Sequence, residues 1–186
     1  MKSLAIIPAK GLSKRLPGKN LRLFHGKPAM AYSIAAAKES GLFDAVLVST
    51  NDSDVRDVAH KYGAMSMQRR PHYAHPDLGT QEVAAGVLRD LWMQGVQMPE
   101  FVCVIYPCAP LITGKDLIDA AFDNAECSYV YAEGQFYFGK AETFMREPDA
   151  LSDAVRVENE RFIDINTQAD WDRAVEMYAK LHKAAA

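Results

Sequence analysis

Three short apolar runs constrain the fold of this chain more than any other feature. They cover residues 4–8 (LAIIP), 45–49 (AVLVS) and 101–106 (FVCVIY). None shows the alternation of apolar and polar side chains expected of a strand with one face in water. Strands that are apolar on both sides are typical of parallel sheets covered by helices on both faces. The runs therefore predict an α/β protein with a mostly parallel sheet.

Helical patterns separate these runs. Residues 28–41 begin with a proline, continue with an alanine-rich body and end with a glycine, as expected of a helix. Thr80 is predicted to cap a helix, and Thr167 with Asp170 forms a T-x-x-D capping box before the last helix. The other predicted helices cover residues 53–62, 80–94, 115–124 and 167–181.

Weaker strand signals lie in the second half of the chain. Residues 127–131 and 135–138 are predicted to be short strands, and residues 153–157 and 161–165 are predicted to pair as a hairpin. No internal repeat or linker interrupts the sequence. Residues 1–186 are therefore predicted to form a single domain.

The charge is unevenly distributed. Residues 10–27 contain six basic residues and no acidic one, whereas the remainder carries 15 basic and 24 acidic residues. A compact positive patch on an acidic protein indicates a local anionic partner, although charge alone is also compatible with a solvated loop. The overall net charge of −3 argues against a nucleic-acid-binding protein.

Hydrophobicity and cysteine usage exclude further classes. No apolar run approaches the roughly 20 residues of a membrane helix, so no membrane partner is predicted. The first run ends at Pro8 after about five residues, which favours a buried strand over a signal peptide. Cys103, Cys108 and Cys127 lack metal-binding spacing, and the sequence predicts reduced cysteines in a cytoplasmic protein, with a catalytic cysteine as the alternative.

The loop after the first strand carries the strongest functional signal. Residues 8–20 read PAKGLSKRLPGKN. A glycine- and lysine-rich loop after a strand can direct backbone N–H groups and cations at phosphate oxygens. Gly11 and Gly18 allow close approach of the backbone. A Walker loop is excluded because Asn20 follows Lys19, and a G-x-G-x-x-G fingerprint is absent.

Ligands of open α/β sheets bind beyond the carboxyl ends of the strands. Each of the three predicted strands is followed by a loop, at residues 9–20, 50–53 and 107–114, and these loops are predicted to lie at the same edge of the sheet. The phosphate-binding loop is therefore predicted to face the other two across one crevice.

The order of residues in this loop resembles the P-A-[RK]-G-G-S-K-x-[IL]-P-x-K-N loop of the acylneuraminate cytidylyltransferases, the CMP-sialic acid synthetase-like proteins. Further matches follow in order along essentially the whole chain, at residues 26–28, 48–52, 70–71 with Thr80, 106–111 and 164–171. Residues 134–139 (GQFYFG) are most like the G-Q-F-Y-W-G of the pseudaminic acid cytidylyltransferases. The resemblance implies a Rossmann-like sheet of the nucleotide-diphospho-sugar transferase type.

The resemblance also implies an activity. Enzymes of this family join CTP to a nine-carbon 2-keto sugar acid, whose anomeric hydroxyl attacks the α-phosphate while pyrophosphate leaves. The implied partners are CTP and a nonulosonic acid of the sialic or pseudaminic type, and the implied cofactor is Mg²⁺.

The resemblance assigns roles to individual residues. Lys10 and Lys19 would stabilise the phosphates and the departing charge, and Asn20 would orient the sugar or the phosphate. The implied sugar contacts are Asn20, Gln135 and Tyr137. The implied nucleotide contacts are Ala9, Lys10, Gly11, Ser13, Lys19, Thr50, Asn51, Arg70, Thr80 and Pro107.

Several of these positions have alternatives. Arg70 is equally compatible with a surface charge, and Gln135 and Tyr137 are equally compatible with structural roles. Tyr106, in the third run, is more typical of a core aromatic residue than of a base-stacking one.

Asp164 and Asn166 are the implied metal ligands. The family usually has aspartate at both positions, and an asparagine oxygen binds Mg²⁺ with less charge. The alternative is that both residues form the turn before the last helix. A loop with His72, His75 and Asp77 is a second candidate metal site.

The chain departs from the family between Tyr129 and Gln135, where relatives insert a segment that shapes the sugar pocket and contacts a partner subunit. The sequence therefore predicts an open or altered sugar pocket and a homodimer contact that is lost or rebuilt. Leu12 also departs from the pattern. A weakened or inactive nucleotide-binding homologue and a sugar-1-phosphate nucleotidyltransferase that uses UTP or dTTP are the alternatives.

Overall fold

The computed structural model describes residues 1–11, 13, 15–73, 75, 78–123, 129–145 and 154–183. The strands in these residues are β1 (Ser3–Pro8), β2 (Leu23–Phe24), β3 (Lys27–Pro28), β4 (Ala45–Ser49), β5 (Met65–Met67), β6 (Phe101–Ile105), β7 (Tyr129–Ala132), β8 (Phe136–Lys140) and β9 (Ala154–Arg156). The α-helices are α1 (Ala29–Glu39), α2 (Ser53–Lys61), α3 (Thr80–Met93), α4 (Gly114–Asp123), α5 (Ala141–Met145) and α6 (Gln168–Lys183).

Seven of the strands form one sheet in the order β5-β4-β1-β6-β8-β7-β9. Neighbouring strands are parallel except at β8, which runs antiparallel to β6 and β7. The predicted mostly parallel sheet is therefore confirmed. The remaining strands, β2 and β3, form a small antiparallel ribbon.

Both faces of the sheet are covered, as the apolar runs predicted. Ala5 and Ile7 of β1 belong to a core on the face that carries α1, α2 and α4. Leu4 and Ile6 point the other way, into a core with α3 and α5. All four side chains are at most 2% exposed, so β1 is the buried centre of the protein.

The order in which strands are added to the sheet reverses at β1. The strands of this sheet that next follow β1 in sequence, β4 and β5, are added on one side of it, and β6 is then added on the other side. A crevice opens outside the carboxyl ends of the strands at such a switch point. The loop that follows β1 and the residues that follow β6 consequently meet at one place.

A third apolar cluster fastens α6 to the β2–β3 ribbon. Phe24 and Trp171 are buried and stand edge to face, with ring centroids 5.5 Å apart. Leu16, from the loop after β1, and Ile165, from the segment before α6, belong to the same cluster. The last helix is therefore packed against the loop that the sequence singles out.

Two of the predicted local structures are wrong. Residues 161–165 form no strand, and β9 instead pairs in parallel with β7, where it covers the sheet edge. Thr80 is the first residue of α3 and not its cap. The Gly79 backbone N–H donates to the Glu82 carboxylate at 2.6 Å, so a side chain within the helix satisfies that donor.

The strands β2, β3 and β5 and the helix α5 were not predicted, because segments of two to five residues carry little periodicity. The predicted strand at residues 127–131 begins at Tyr129, and its first two residues lie outside the described part of the chain. Within the described residues, no helix combines the length and hydrophobicity that crossing a bilayer requires.

The capping box at α6 is confirmed and generates a stability prediction. The Thr167 hydroxyl donates to the Asp170 carboxylate at 2.8 Å, and the Thr167 hydroxyl oxygen accepts the Asp170 N–H at 3.2 Å. We expect Thr167→Ala to lower the free energy of unfolding by about 1 kcal/mol at neutral pH. Urea denaturation measures this, and Thr80→Ala, which removes no cap, should stay within about 0.5 kcal/mol of wild type.

The same box has a pH dependence. The hydrogen bond from the Thr167 hydroxyl, followed by backbone N–H groups, lowers the pKa of Asp170. The stabilisation by the ionised Asp170 carboxylate is therefore complete above the pKa of Asp170 in the unfolded state. It is lost as the pH falls through the lower pKa of Asp170 in the folded state. The difference between wild type and Thr167→Ala should shrink in acid, and a constant difference would contradict the assignment of Asp170.

Candidate nucleotide-binding site

A cleft of about 430 Å³ opens at the carboxyl ends of β1 and β6. It is lined by Pro8, Lys10, Ser13, Arg15, Lys19, Asn20, Thr80, Tyr106, Pro107, Cys108 and Asp164. An adjoining cavity of about 590 Å³ shares Lys10, Arg15, Lys19, Thr80, Tyr106 and Asp164 and extends to Tyr137 and Asn166. We refer to the two together as the cleft.

Most of the predicted site residues meet here, although they come from distant parts of the sequence. The cleft contains Lys10, Ser13, Lys19, Asn20, Thr80, Pro107, Tyr137, Asp164 and Asn166. The end of β1, the start of α3, the end of β6, β8 and the segment before α6 supply them. The switch-point topology brings these elements together.

The cleft is positively charged. Its cationic side chains are Lys10, Arg15 and Lys19, and its carboxylates are Asp164 and Glu82, of which Glu82 accepts the Gly79 N–H. Lys19 Nζ donates to the backbone carbonyl of Ile165 at 2.5 Å, and no carboxylate within the described chain pairs with it. A carbonyl orients the ammonium without neutralising it, so the charge of Lys19 remains available to an anion.

The loop after β1 is held in shape by close packing. A Cβ atom at Gly11 would lie 1.8 Å from Oδ2 of Asp52, so a larger residue does not fit there. Asn20 Nδ2 donates to the carbonyl of Lys10 at 2.8 Å and joins the two ends of the loop. Asn20 lines the cleft, and its buried Oδ1 accepts no hydrogen bond from the part of the chain that the structure describes. An unsatisfied acceptor at that position is suited to a ligand donor.

Asp164 and Asn166, the predicted metal ligands, flank Ile165, whose carbonyl accepts the Lys19 ammonium, and both line the cleft. Asn166 Nδ2 donates to Asp164 Oδ2 at 2.6 Å. Gly134 has a φ of +70°, and a Cβ there would lie 2.4 Å from the Cβ of Asp164. The turn between β7 and β8 therefore supports Asp164. Both residues lie in an irregular segment, because residues 161–165 do not form the predicted strand.

The donor set fits Mg²⁺ only as a shared site. No group of three His, Cys, Asp or Glu residues that could hold a metal occurs in the described part of the chain. Mg²⁺ is commonly held by one or two carboxylates together with substrate phosphates, which is compatible with Asp164 and an Asn166 oxygen. The second candidate, with His72 and His75, forms no such group there, and Asp77 lies outside the described residues.

Gln135 does not reach the cleft. Its side chain is fully buried, and Nε2 donates to the carbonyl of Ile163 at 3.0 Å. Its backbone carbonyl accepts the Tyr106 N–H at 2.8 Å. The tight turn before β8 directs the side chain inwards, so this geometry favours the structural alternative for Gln135, and the sugar contact stays a prediction.

Arg70 and Ala9 also lie outside the cleft lining. Arg70 Nε contacts Asp90 Oδ1 of α3 at 2.5 Å, so the ion pair draws the guanidinium onto the helix. The Ala9 side chain is fully buried, and its N–H donates to the carbonyl of Ser49 at 3.0 Å. The alternative structural interpretation of Arg70 is the one that this geometry favours.

Thr50 and Asn51 line a separate small pocket of about 80 Å³ beyond β4. Asn51 Oδ1 accepts the backbone N–H of Arg69 at 2.9 Å. Arg69 is itself buried, donates to the carbonyl of Ser49 at 2.7 Å, and has its pKa lowered to about 10 by desolvation. These residues support the rim beside the loop.

Arg15, Tyr106 and Cys108 are among the cleft residues that were not predicted contacts. Arg15 belongs to the basic segment of residues 10–27, and that charge pattern could have indicated it as a contact of an anionic ligand. The Tyr106 hydroxyl lies 3.0 Å from that of Tyr137, so Tyr106 is a cleft residue and not solely a core aromatic. Burial raises the pKa of the Cys108 thiol to about 12, against the influence of Lys19. A neutral thiol is a weak nucleophile, which disfavours the catalytic-cysteine alternative.

A different cavity of about 380 Å³ lies near the far edge of the sheet. Its charged lining residues are Glu133, Arg156, Glu158 and Glu160. Three carboxylates and one cation repel phosphate, so the electrostatics favour the cleft at the switch point as the anion site.

Comparison with known proteins defines the class. A family model described as cytidylyltransferase matches residues 4–178, and the chain belongs to that family. The match spans the loop after β1, the β6 end of the cleft and the segment with Asp164. The resemblance drawn from the sequence motifs is thereby confirmed.

Two curated relatives are more specific. The chain is 35% identical over 142 residues to pseudaminic acid cytidylyltransferase of Campylobacter jejuni subsp. jejuni serotype O:23/36, covering 76% of this chain and 59% of the relative. It is 41% identical over 113 residues to CMP-N,N'-diacetyllegionaminic acid synthase of Legionella pneumophila, covering 59% of this chain and 47% of that protein. The matched region thus spans about half to three-fifths of these relatives.

A solved structure supports the fold. CMP:2-keto-3-deoxy-manno-octonic acid synthetase complexed with CTP superposes with a TM-score of 0.71 at 16% identity, covering 97% of this chain and 99% of that chain. Similarity at this level of identity shows a shared fold. The Rossmann-like nucleotidyltransferase fold expected from the motifs is therefore confirmed.

The contact between Gly134 and Asp164 can be tested by stability. Gly134→Ala introduces both a left-handed backbone strain and an overlap with Asp164, whereas Gly95→Ala has φ +75° and open space around its Cβ. The strain alone costs about 1–2 kcal/mol in each variant. Urea denaturation should show Gly134→Ala to be at least about 1 kcal/mol less stable than Gly95→Ala. Equal losses would show that Asp164 moves away freely.

Proposed function

We propose that this protein transfers CMP from CTP to a nonulosonic sugar acid of the sialic or pseudaminic type, with release of pyrophosphate. The observation that carries the proposal is the Lys19 ammonium, which lies in the cleft on a carbonyl and without a carboxylate partner in the described chain. Membership of the cytidylyltransferase family and the sugar-acid substrates in the names of its relatives support the choice of reactants.

Lys10, Lys19 and Asn20 are the proposed catalytic residues. The two lysines stabilise the triphosphate and the charge that develops on pyrophosphate as the bond to the α-phosphate breaks. The buried Oδ1 of Asn20 accepts no hydrogen bond from the described residues, so it is suited to accept one from the sugar hydroxyl and orient its attack.

The proposed nucleotide contacts in the cleft are Ser13, Thr80 and Pro107, together with Lys10 and Lys19. Gly11 acts by permitting the path of the loop over Asp52. Four of the predicted nucleotide contacts do not line the cleft, namely Ala9, Thr50, Asn51 and Arg70. They are proposed to affect nucleotide binding indirectly, by supporting the loops at the edge of the cleft.

Asp164 and Asn166 are the proposed residues that hold Mg²⁺ against the triphosphate. A bound divalent ion would supply additional charge neutralisation on the phosphates. The single carboxylate indicates weaker metal binding than a pair of aspartates would give, which also supports a second candidate function as a weakened nucleotide-binding homologue.

The sugar side of the cleft is proposed to be open. Only residues 133–135 connect β7 and β8, and the Gln135 N–H donates to the Ala132 carbonyl at 3.0 Å in this tight turn. Tyr137 and Tyr106 remain as the polar aromatic wall on that side. We propose that a homodimer, if formed, does not depend on a long insertion at this turn.

The activity is tested by measuring pyrophosphate release from CTP and Mg²⁺ with a panel of nonulosonic acids. Wild type should release pyrophosphate with at least one acid. Lys19→Met should lower kcat by about 10²–10³-fold, because one cation that stabilises the transition state is removed. Lys27→Met, which removes an exposed charge from the same basic segment, should stay within about twofold because its charge lies outside the cleft.

Two outcomes would contradict the proposal. Binding of CTP without pyrophosphate release from any acid would favour the weakened nucleotide-binding homologue. Faster turnover with UTP or dTTP and a sugar-1-phosphate would favour the other nucleotidyltransferase class. Comparable losses in Lys19→Met and Lys27→Met would show that overall charge, and not the position of Lys19, determines the rate.

The metal proposal is tested with Asn166→Asp. A second carboxylate beside Asp164 should lower the Mg²⁺ concentration for half-maximal activity about tenfold or more, since it adds a full charge to the ion's ligands. Titration of Mg²⁺ at saturating CTP measures this. Asn159→Asp, in the loop after β9, is the control. An unchanged Mg²⁺ requirement in Asn166→Asp would remove residue 166 from the metal site.

A further inference from the structure

Lys19 lies in a compact turn that extends to Arg22. The Lys19 N–H donates to the Leu16 carbonyl at 3.3 Å, and the Leu21 and Arg22 N–H groups donate to the Gly18 carbonyl at 3.0 Å and 2.9 Å. Gly18 has a φ of +66°, which the turn requires. We call residues 16–22 the Lys19 turn. Because the turn is closed by its own hydrogen bonds, Lys19 and Arg22 move together.

The Lys19 turn is attached to one short stretch of chain at two points. At its tip, Lys19 Nζ donates to the carbonyl of Ile165 at 2.5 Å. At its base, Arg22 Nη1 donates to Gln168 Oε1 at 2.7 Å, and the guanidinium carbon lies 4.4 Å from the centroid of the Trp171 ring. Both attachments are made to residues 165–171.

This stretch is a firm support. Trp171 is 3% exposed and Ile165 is 1% exposed. The capping box of Thr167 and Asp170 fixes the start of α6, and Asp170 Oδ2 also accepts the Asn166 N–H at 3.2 Å. A group anchored here is therefore held relative to Asp164, which belongs to the same segment.

We propose that Arg22 is a positioning residue, which holds the Lys19 turn against the start of α6 and so sets where the Lys19 ammonium meets the triphosphate. The inference rests on the proposed function. Arg22 does not line the cleft, so it acts through Lys19 and not by contact with phosphate. A displacement of about 1 Å at a catalytic group can cost on the order of 10²-fold in rate.

The chemistry of arginine suits this role. A guanidinium can stack on an indole ring through its flat face while its edge donates to Gln168. Lysine keeps the charge but lacks the planar fork, so it cannot hold both contacts in the same geometry. The Arg22→Lys variant therefore separates two effects of Arg22. It keeps the positive charge, which can attract an anion, but it loses the contacts that position the Lys19 turn.

The test is a double-mutant cycle on kcat with CTP and the best sugar acid. Arg22→Met should lower kcat about tenfold in wild type, and Arg22→Lys should recover less than half of that loss on a logarithmic scale. In a Lys19→Met background, Arg22→Met should lower kcat by less than about twofold, because the residue on which it acts is gone.

A matched control separates positioning from loss of stability. Arg161→Met removes another partly buried arginine, which contacts Asp116 at 2.5 Å and the Leu111 carbonyl at 3.1 Å, away from the Lys19 turn. It should lower the thermal midpoint at least as much as Arg22→Met does and leave kcat within about twofold. Gln168→Met, which removes one contact without changing charge, should give an intermediate loss of kcat.

The outcomes are distinct. An equal loss from Arg22→Met in the wild-type and Lys19→Met backgrounds would overturn the proposal, as would full recovery by Arg22→Lys. If wild type binds CTP without turnover, the proposed function fails, and the same cycle is then measured on CTP affinity by calorimetry, where non-additivity still supports positioning. Absence of CTP binding in wild type would overturn both.

Discussion

The parallel pairing of β1 with β4 on one side and β6 on the other is the constraint on which the rest of the structure depends. It fixes the point where the chain reverses across the sheet, and the crevice of an open α/β sheet forms at that point. Because β1 is buried on both faces, its carboxyl end cannot shift without disturbing two cores. The loop that carries Lys10 and Lys19 therefore starts from a strand that is buried on both faces, and its first residues are fixed in place.

The cations of this loop keep their charge although the rest of the protein is acidic. The acidic remainder of the protein tends to neutralise cations, yet Lys19 is held by the carbonyl of Ile165 and not by a carboxylate within the described chain. A carboxylate at that position would compete with the phosphate, whereas a neutral carbonyl only orients the ammonium. Asp164 lies in the same cleft, but its Oδ2 accepts the amide of Asn166. The cleft thus combines three cations, of which Lys19 has no carboxylate partner in the described chain, with the carboxylates of Asp164 and Glu82.

The sheet, its covering helices and most of the cleft could be predicted from the sequence, because apolar runs and a glycine- and lysine-rich loop are local signals. The sequence-predicted contacts that lie outside the cleft share a physical origin with the strand that does not form. Gln135 and Arg70 are polar residues whose direction is set by tertiary partners, Ile163 and Asp90, that are distant in sequence. Residues 161–165 have strand-like composition, but Ile163 and Ile165 are buried in the cluster with α6, and the Ile163 carbonyl accepts the Gln135 side chain. No local pattern contains that information.

The turn between β7 and β8 links the two halves of the site. Gly134 packs against Asp164, and Gln135 holds both Ile163 and Tyr106, so three residues of turn fix the segment before α6 against the end of β6. That segment in turn holds Lys19 through Ile165. An insertion here would have to preserve these contacts to keep Asp164 and Lys19 in place. The three-residue turn alone makes them, so a short connection between β7 and β8 is sufficient to support the residues of the cleft.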